Sequence, residues 1–195
     1  HGHYDHGGGL ARFLELNSTA PVYLNEHAFE PHYHGAERYI GLDPALAASP
    51  RLHLTGEEAV LAPGLTLAAC NRRPRRYDLG SFGLTVQEGG AFQPEDFRHE
   101  HYLLIEEAGR RVLISGCSHK GILNIVDWFR PDVLVGGFHF SGLPLDETLA
   151  GYARQLDSSG AVFYTCHCTG RPQYEFMARQ MSRLHYLSTG QTIIV

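Results

Sequence analysis

Four of the first six residues can bind a cation: His1, His3, Asp5 and His6, in the order His-x-His-x-Asp-His. In an extended loop, side chains two residues apart fall on one side. His1 and His3 are thus placed to chelate one ion while Asp5 and His6 turn toward a neighbouring one. Imidazole nitrogen and carboxylate oxygen suit zinc, and also iron or manganese. A terminal affinity tag is the plain alternative. A tag does not carry an interposed Asp followed by Gly7-Gly8-Gly9 and an amphipathic segment. Histidine is dense throughout, 13 of 195 residues, which also points to metal.

Three later histidines follow apolar runs. His119 sits in Ser115-Gly116-Cys117-Ser118-His119-Lys120-Gly121-Ile122, His139 closes Gly136-Gly137-Phe138-His139, and His167 stands between Cys166 and Cys168. An imidazole just past a strand lies at the carboxyl edge of a sheet. His119 is expected to be a ligand, against the alternative of a packed ring beside a helix-capping Ser118. For His167 the alternative is a Cys-rich turn packed in the core. Cys166 and Cys168, in extended chain, would point together and away from His167, as structural thiols. His139 suits a substrate-binding or supporting role, donating to a phosphate or carbonyl oxygen, with metal binding and a satisfied structural ring as the alternatives. Arg98-His99-Glu100-His101 is a further ligand source, against a solvated strand start. The one dense basic run, Arg72-Arg73-Pro74-Arg75-Arg76, would clamp an anionic substrate, though a solvated loop face is the commoner meaning of such a run. His27, His32 and His34, with Tyr33 and Tyr39, could line a lid and are assigned no chemistry.

Elements must bring these residues together. The spacing predicts a short helix over 10–17, a strand over 21–24 and an irregular insertion over 27–50 with a helical turn at 45–48. Strands are expected at 51–55, 65–69 and 84–87, and a hairpin joins 102–106 to 112–115. A helix over 122–129, broken before Pro131, leads to a strand at 133–135, a helix at 145–156, a strand at 161–164, a helix at 174–184 and a closing strand at 191–195. Strands alternating with helices predict an α/β layered fold.

At 195 residues, with 19% charged and 43% hydrophobic residues, the chain reads as one folded domain, 1–195. A net charge of −5 supplies no global field for gripping a nucleic-acid backbone. No apolar run approaches the roughly 20 residues that cross a bilayer. Four cysteines with no C-x-x-C pairing suggest a reduced, cytoplasmic protein. No G-x-S-x-G motif occurs, which removes the commonest covalent hydrolase.

His1-Gly2-His3-Tyr4-Asp5-His6 resembles the H-x-H-x-D-H signature of the metallo-β-lactamase superfamily. The blocks around Cys117-Ser118-His119, Gly136-Gly137-Phe138-His139 and His167-Cys168-Thr169-Gly170 resemble one branch, the dihydropterin-ribofuranosylaminobenzene-phosphate synthase-like metal-dependent hydrolases. The resemblance implies a four-layer αββα sandwich with a dinuclear site at one edge of its sheets. It also implies strands ahead of the first motif, including one with an Asp-Thr-Gly block, which the sequence lacks, so the domain is expected to be truncated relative to the family. Two divalent cations, zinc with iron or manganese as alternatives, are expected: one on His1, His3 and a later His, the other on Asp5, His6 and His167. Asp5 is the expected catalytic residue, orienting a metal and handling the nucleophile's proton. The family's bridging Gly-Asp is replaced here by Gly116-Cys117, and of its acidic pair only Glu100 remains.

The expected activity is hydrolysis of a small, phosphorylated or otherwise anionic molecule by a metal-bound hydroxide. The alternatives are a pterin/ribofuranosylaminobenzene-phosphate transferase, a lactone or thioester hydrolase, and a non-catalytic metal-binding or redox module resting on Cys166-His167-Cys168. Neither a nucleic acid nor a membrane is an expected partner, and a homo-oligomer stays open.

Overall fold

The computed structural model describes residues 1–195. The chain packs as two compact units, residues 1–59 with 68–72 and 79–101, and residues 60–67 with 73–78 and 102–195.

In the first unit, α1 (Tyr4–Gly7) and α2 (Leu10–Leu16) precede β1 (Val22–Asn25), β2 (His32–His34), β3 (Arg38–Tyr39), a 3-10 turn over Pro44–Ala48 and β4 (Leu52–Thr55). A hairpin follows, β5 (Glu58–Ala62) and β6 (Leu65–Ala68), then β7 (Leu84–Glu88) and β8 (Ala91–Pro94). β1 and β4 pair in parallel, Val22 opposite Leu52, and β3-β2-β7-β8 form an antiparallel sheet with His32 opposite Val86. The irregular insertion expected over 27–50 therefore contains two strands. Their inward residue is His32, a polar type that hides the alternation a strand normally shows. The 3-10 turn starts where Asp43 accepts a hydrogen bond from the Ala45 amide and Pro44 presets the first turn.

The second unit holds the seven-stranded sheet, in the order β13-β12-β11-β10-β9-β6-β5. β9 (Tyr102–Glu107) and β10 (Arg110–Ser115) form the expected hairpin, turning at Ala108 and Gly109, both with positive φ as a tight two-residue turn requires. From β10 onward the strands are parallel and each crossover carries a helix: α3 (Ile122–Phe129), β11 (Val133–Gly136), α4 (Glu147–Asp157), β12 (Val162–Thr165), a 3-10 turn over His167–Thr169, α5 (Arg171–Met177) and β13 (Leu184–Tyr186).

Packing explains these elements. α4 buries Leu149, Ala150, Ala153 and Leu156, one helical stripe, and Asp146 caps it by accepting from Thr148 and Leu149. Leu134 and Phe163, on adjacent parallel strands, are fully buried, each worth roughly 1.5–3 kcal/mol. Two expectations fail near the carboxyl end. The helix predicted over 174–184 is Arg171–Met177, begun early by Pro172 in its first turn, and its apolar tail Met181–Leu184 belongs to the approach to β13. Residues 191–195 form no strand, and Ile194 is 97% exposed. A run of β-branched residues without a partner strand has nothing to bury it.

Candidate metal centre

In the first unit the opening motif is only half extended. His3 is the extended residue before α1, and Asp5 and His6 sit in that helical turn, closed by the His6 and Gly7 amides donating to the His3 carbonyl. The extended geometry expected for Asp5 is thus replaced by a turn, which leaves Asp5 and His6 exposed while His3 is buried. The rings still converge. His1 lies 4.8 Å from His3 and 3.9 Å from His6 between centroids, and Asp5 Oδ2 is 3.9 Å from His6 Nε2. Gly2 between the two histidines is required by space, because a Cβ there would meet the Ala28 carbonyl oxygen at 2.3 Å.

Behind His3 lies a buried polar cluster that the motif did not reveal. Glu95, just past β8, places Oε2 3.2 Å from His3 Nε2 and Oε1 2.8 Å from His32 Nδ1 and 2.9 Å from His99 Nε2. His32 and His99 do not aim an N–H squarely at that oxygen, so the His3 bond is the best formed of the three. Burial alone would raise the Glu95 carboxyl. The facing imidazoles, His3 first, outweigh it and hold the group well below the usual carboxylate range. His99, 1% exposed, is pushed well below its ordinary value by burial, against the pull of Glu95, and stays neutral. Its Nδ1 accepts the Gly2 amide at 2.7 Å, so its proton is on Nε2, facing the carboxylate. An ionised carboxylate only accepts, so His3 also presents Nε2–H to it. The lone pair of His3 is then on Nδ1.

Several other polar residues of this unit are tied down by partners. The stretch 98–101, weighed as a ligand source against a solvated strand start, is pinned by protein partners: Arg98 makes a two-pronged pair with Glu30 at 2.8 Å and also meets Glu88, Glu100 is buried, and His101 meets Asn25 and Thr55. His27 pairs with Glu30 and Tyr39 donates to the Leu42 carbonyl. Glu95 and His32 escaped the sequence argument because no motif joins them. The only signal was the adjacent carboxylates Glu95 and Asp96 at a strand end after Pro94.

In the second unit the three histidines stand at the carboxyl ends of three neighbouring parallel strands, His119 after β10, His139 after β11 and His167 after β12. This is the edge where open α/β sheets hold ligands. His119 is buried, 4.4 Å from His139 between ring centroids, and His167 is exposed. Ser118, His139 and His167 all adopt left-handed backbone, φ 61°, 54° and 50°. Non-glycine residues there cost roughly 1–2 kcal/mol each, and such strain gathers at functional loops. The left-handed turn at His167 breaks the alternation expected of Cys166 and Cys168. Hydrogen bonding to Cys117 leads in holding the Cys168 thiol down to about 5, with His139 assisting against burial, whereas burial raises Cys166.

The basic run lies along α3: Arg73 donates to the Trp128 carbonyl and sits 5.9 Å from the Phe129 ring, and Arg76 is 3.6 Å from Asp127. A cavity of about 420 Å³ between α3 and α4, lined by Asp127, Arg130, Asp132 and Gln155, opens at the amino ends of β11 and β12, the end away from the histidines. No helix is long and apolar enough to cross a membrane.

No family model matches the chain. Among curated proteins it is 28% identical over 179 residues to an uncharacterized protein of Methanocaldococcus jannaschii, covering 87% of this chain and 67% of that one. It is 24% identical over 221 aligned positions, 99% of this chain and 72% of the relative, to the same archaeon's 7,8-dihydropterin-6-methyl-4-(beta-D-ribofuranosyl)-aminobenzene-5'-phosphate synthase. Among solved structures it resembles Tm1679, a metal-dependent hydrolase of the beta-lactamase superfamily, with a TM-score of 0.81 and 26% identity over the whole of this chain and 77% of that one. The chain therefore has the β-lactamase-superfamily fold and is a distant relative of the dihydropterin-ribofuranosylaminobenzene-phosphate synthase.

Proposed function

We propose that this chain is a metal-dependent hydrolase whose ligands to divalent cations are His1, His3, Asp5, His6, His119 and His167. The observation that carries the reading is the likeness to Tm1679 over the full chain, a protein described as a metal-dependent hydrolase. The donor chemistry supports it. Imidazoles with one carboxylate suit zinc, iron or manganese, and the rings of His1, His3 and His6 converge in the opening motif. A pair of ions fits the number of donors.

Bound divalent cations would polarise the scissile group and lower the pKa of water toward neutrality. The chain's own residues do the rest. Asp5 is exposed and near His6, so its carboxylate can orient the attacking water and take its proton. Buried Glu95 keeps His3 in one tautomer. We propose a small anionic substrate, phosphorylated or cyclic, with Arg72 to Arg76 as the cationic run that attracts it.

A screen of phosphodiesters, phosphomonoesters, lactones and thioesters, with and without added zinc, manganese or iron, tests this. Metal-stimulated release of product from one substrate in water is expected. A lactone or thioester as the best substrate would keep the hydrolase and replace the phosphate. The alignment of 99% of the chain with a synthase favours a second reading, transfer between two substrates, which turnover only in the presence of both would establish.

A further inference from the structure

We propose that Cys117, His139 and Cys168 together hold a cation, a thiophilic divalent ion such as zinc or iron(II). The three come from the loops after β10, β11 and β12, neighbouring strands of one sheet, and their ligand atoms all lie within 4.8 Å of one another. A tetrahedral zinc with sulfur and imidazole ligands asks for donor separations of roughly 3.3–3.8 Å, a small contraction from that limit. Two sulfurs and one nitrogen leave a fourth position for water.

The surrounding backbone is shaped around the sulfur. A Cβ on Gly137 would stand 2.5 Å from Cys168 Sγ and 3.1 Å from the Gly116 carbonyl oxygen, so only glycine lets the loop after β11 pass this close. The loops are then stitched together. The Gly137 amide donates to the Gly116 carbonyl at 2.8 Å, the Phe138 amide to Thr169 Oγ1 at 2.9 Å, and the Ser141 amide to the Cys168 carbonyl at 3.0 Å. Of the left-handed residues, His139 is a donor, while Ser118 and His167 directly follow and precede the two cysteines. Sequence separation of 51 residues between the thiols makes their meeting a property of the fold and not of a local motif.

Donor softness is what marks this set. Thiolates select soft and borderline ions, and imidazole with carboxylate tolerates harder ones. The assignment gives His139 to a cation in place of substrate, and it stands whether or not the hydrolase reading does.

Cobalt(II) substitution decides it. The metal-free full chain titrated with cobalt should develop a sulfur-to-cobalt charge-transfer band in the near ultraviolet, beside the weak visible bands of any nitrogen and oxygen site. The charge-transfer band should persist in Cys166→Ser, whose thiol is outside the set, and lose most of its intensity in Cys117→Ser and in Cys168→Ser. His139→Ala should weaken the cobalt affinity of that band at least tenfold. Cys117 is buried, so if its variant fails to fold, Cys168→Ser at a half-buried position decides alone. Absence of the band in the unaltered chain, or its full retention in Cys168→Ser, overturns the proposal. Visible bands without the charge-transfer band would do so while leaving the hydrolase reading intact.

Discussion

His3 Nε2 and Glu95 Oε2 are 3.2 Å apart in a buried setting, 4% and 5% exposed, and that contact fixes which nitrogen of His3 is available to a metal. A histidine ligand whose far N–H is held by a carboxylate is better oriented and more basic than one left free. Glu95→Gln keeps the shape but can present an amide N–H to His3, which would move the His3 proton to Nδ1. The expected outcome is a metal affinity about 10–100-fold weaker with an unchanged circular dichroism spectrum, measured by chelator competition. Nitrogen-15 chemical shifts of the metal-free histidines should show the Nε2–H tautomer of His3 in the unaltered protein and its loss in the variant.

The same cluster sets a pH dependence of stability. His99 and Glu95 both have folded pKa values depressed below their unfolded ones. Below about pH 6.5 the unfolded chain gains a proton at His99 that the folded chain resists, and below about pH 4.3 it gains another at Glu95. Stability is therefore fully present above pH 6.5 and falls on acidification, first through the histidine and then more steeply through the carboxylate. Thermal melts of the metal-stripped protein should show Tm falling from pH 7 to pH 5, and His99→Gln should flatten that first slope.

Asn124 in α3 is 1% exposed and fully used. It accepts from the amides of Arg76 and Tyr77 at 2.8 and 3.0 Å and donates to the carbonyls of Tyr77 and Lys120 at 2.7 Å. Asn124→Ala strands these groups, at a cost of about 3 kcal/mol. Chemical denaturation should show a midpoint shift of that size with metal content unchanged.

An anionic substrate attracted by the basic run predicts that Arg73→Glu raises KM severalfold at constant kcat. An unchanged KM would leave Arg73 as a fastener of α3, the use its contacts with Trp128 and Phe129 already give it.

What was legible in the sequence follows from where the signal is local. The β9–β10 hairpin, α3, β11, α4 and β12 were expected to within a few residues, because continuous apolar strands and amphipathic helices write their period directly into the chain. The short strands β2, β3, β5 and β8 were not, since each has few buried apolar residues and owes its place to a partner. The same division runs through the site. His1, His3, Asp5, His6, His119 and His167 are legible from spacing and resemblance. Glu95, His32 and the meeting of Cys117 with Cys168 depend on residues 51 or more apart, and no local pattern encodes such contacts.

The most direct test of the central claim is the metal content of the reloaded chain, by elemental analysis or native mass spectrometry, beside His3→Ala and His167→Ala. These positions lie 164 residues apart in the sequence, yet both are expected to serve as metal ligands. It predicts at least two divalent ions per unaltered chain and at least one fewer in each variant, with folds intact. Equal metal content in all three proteins would contradict it.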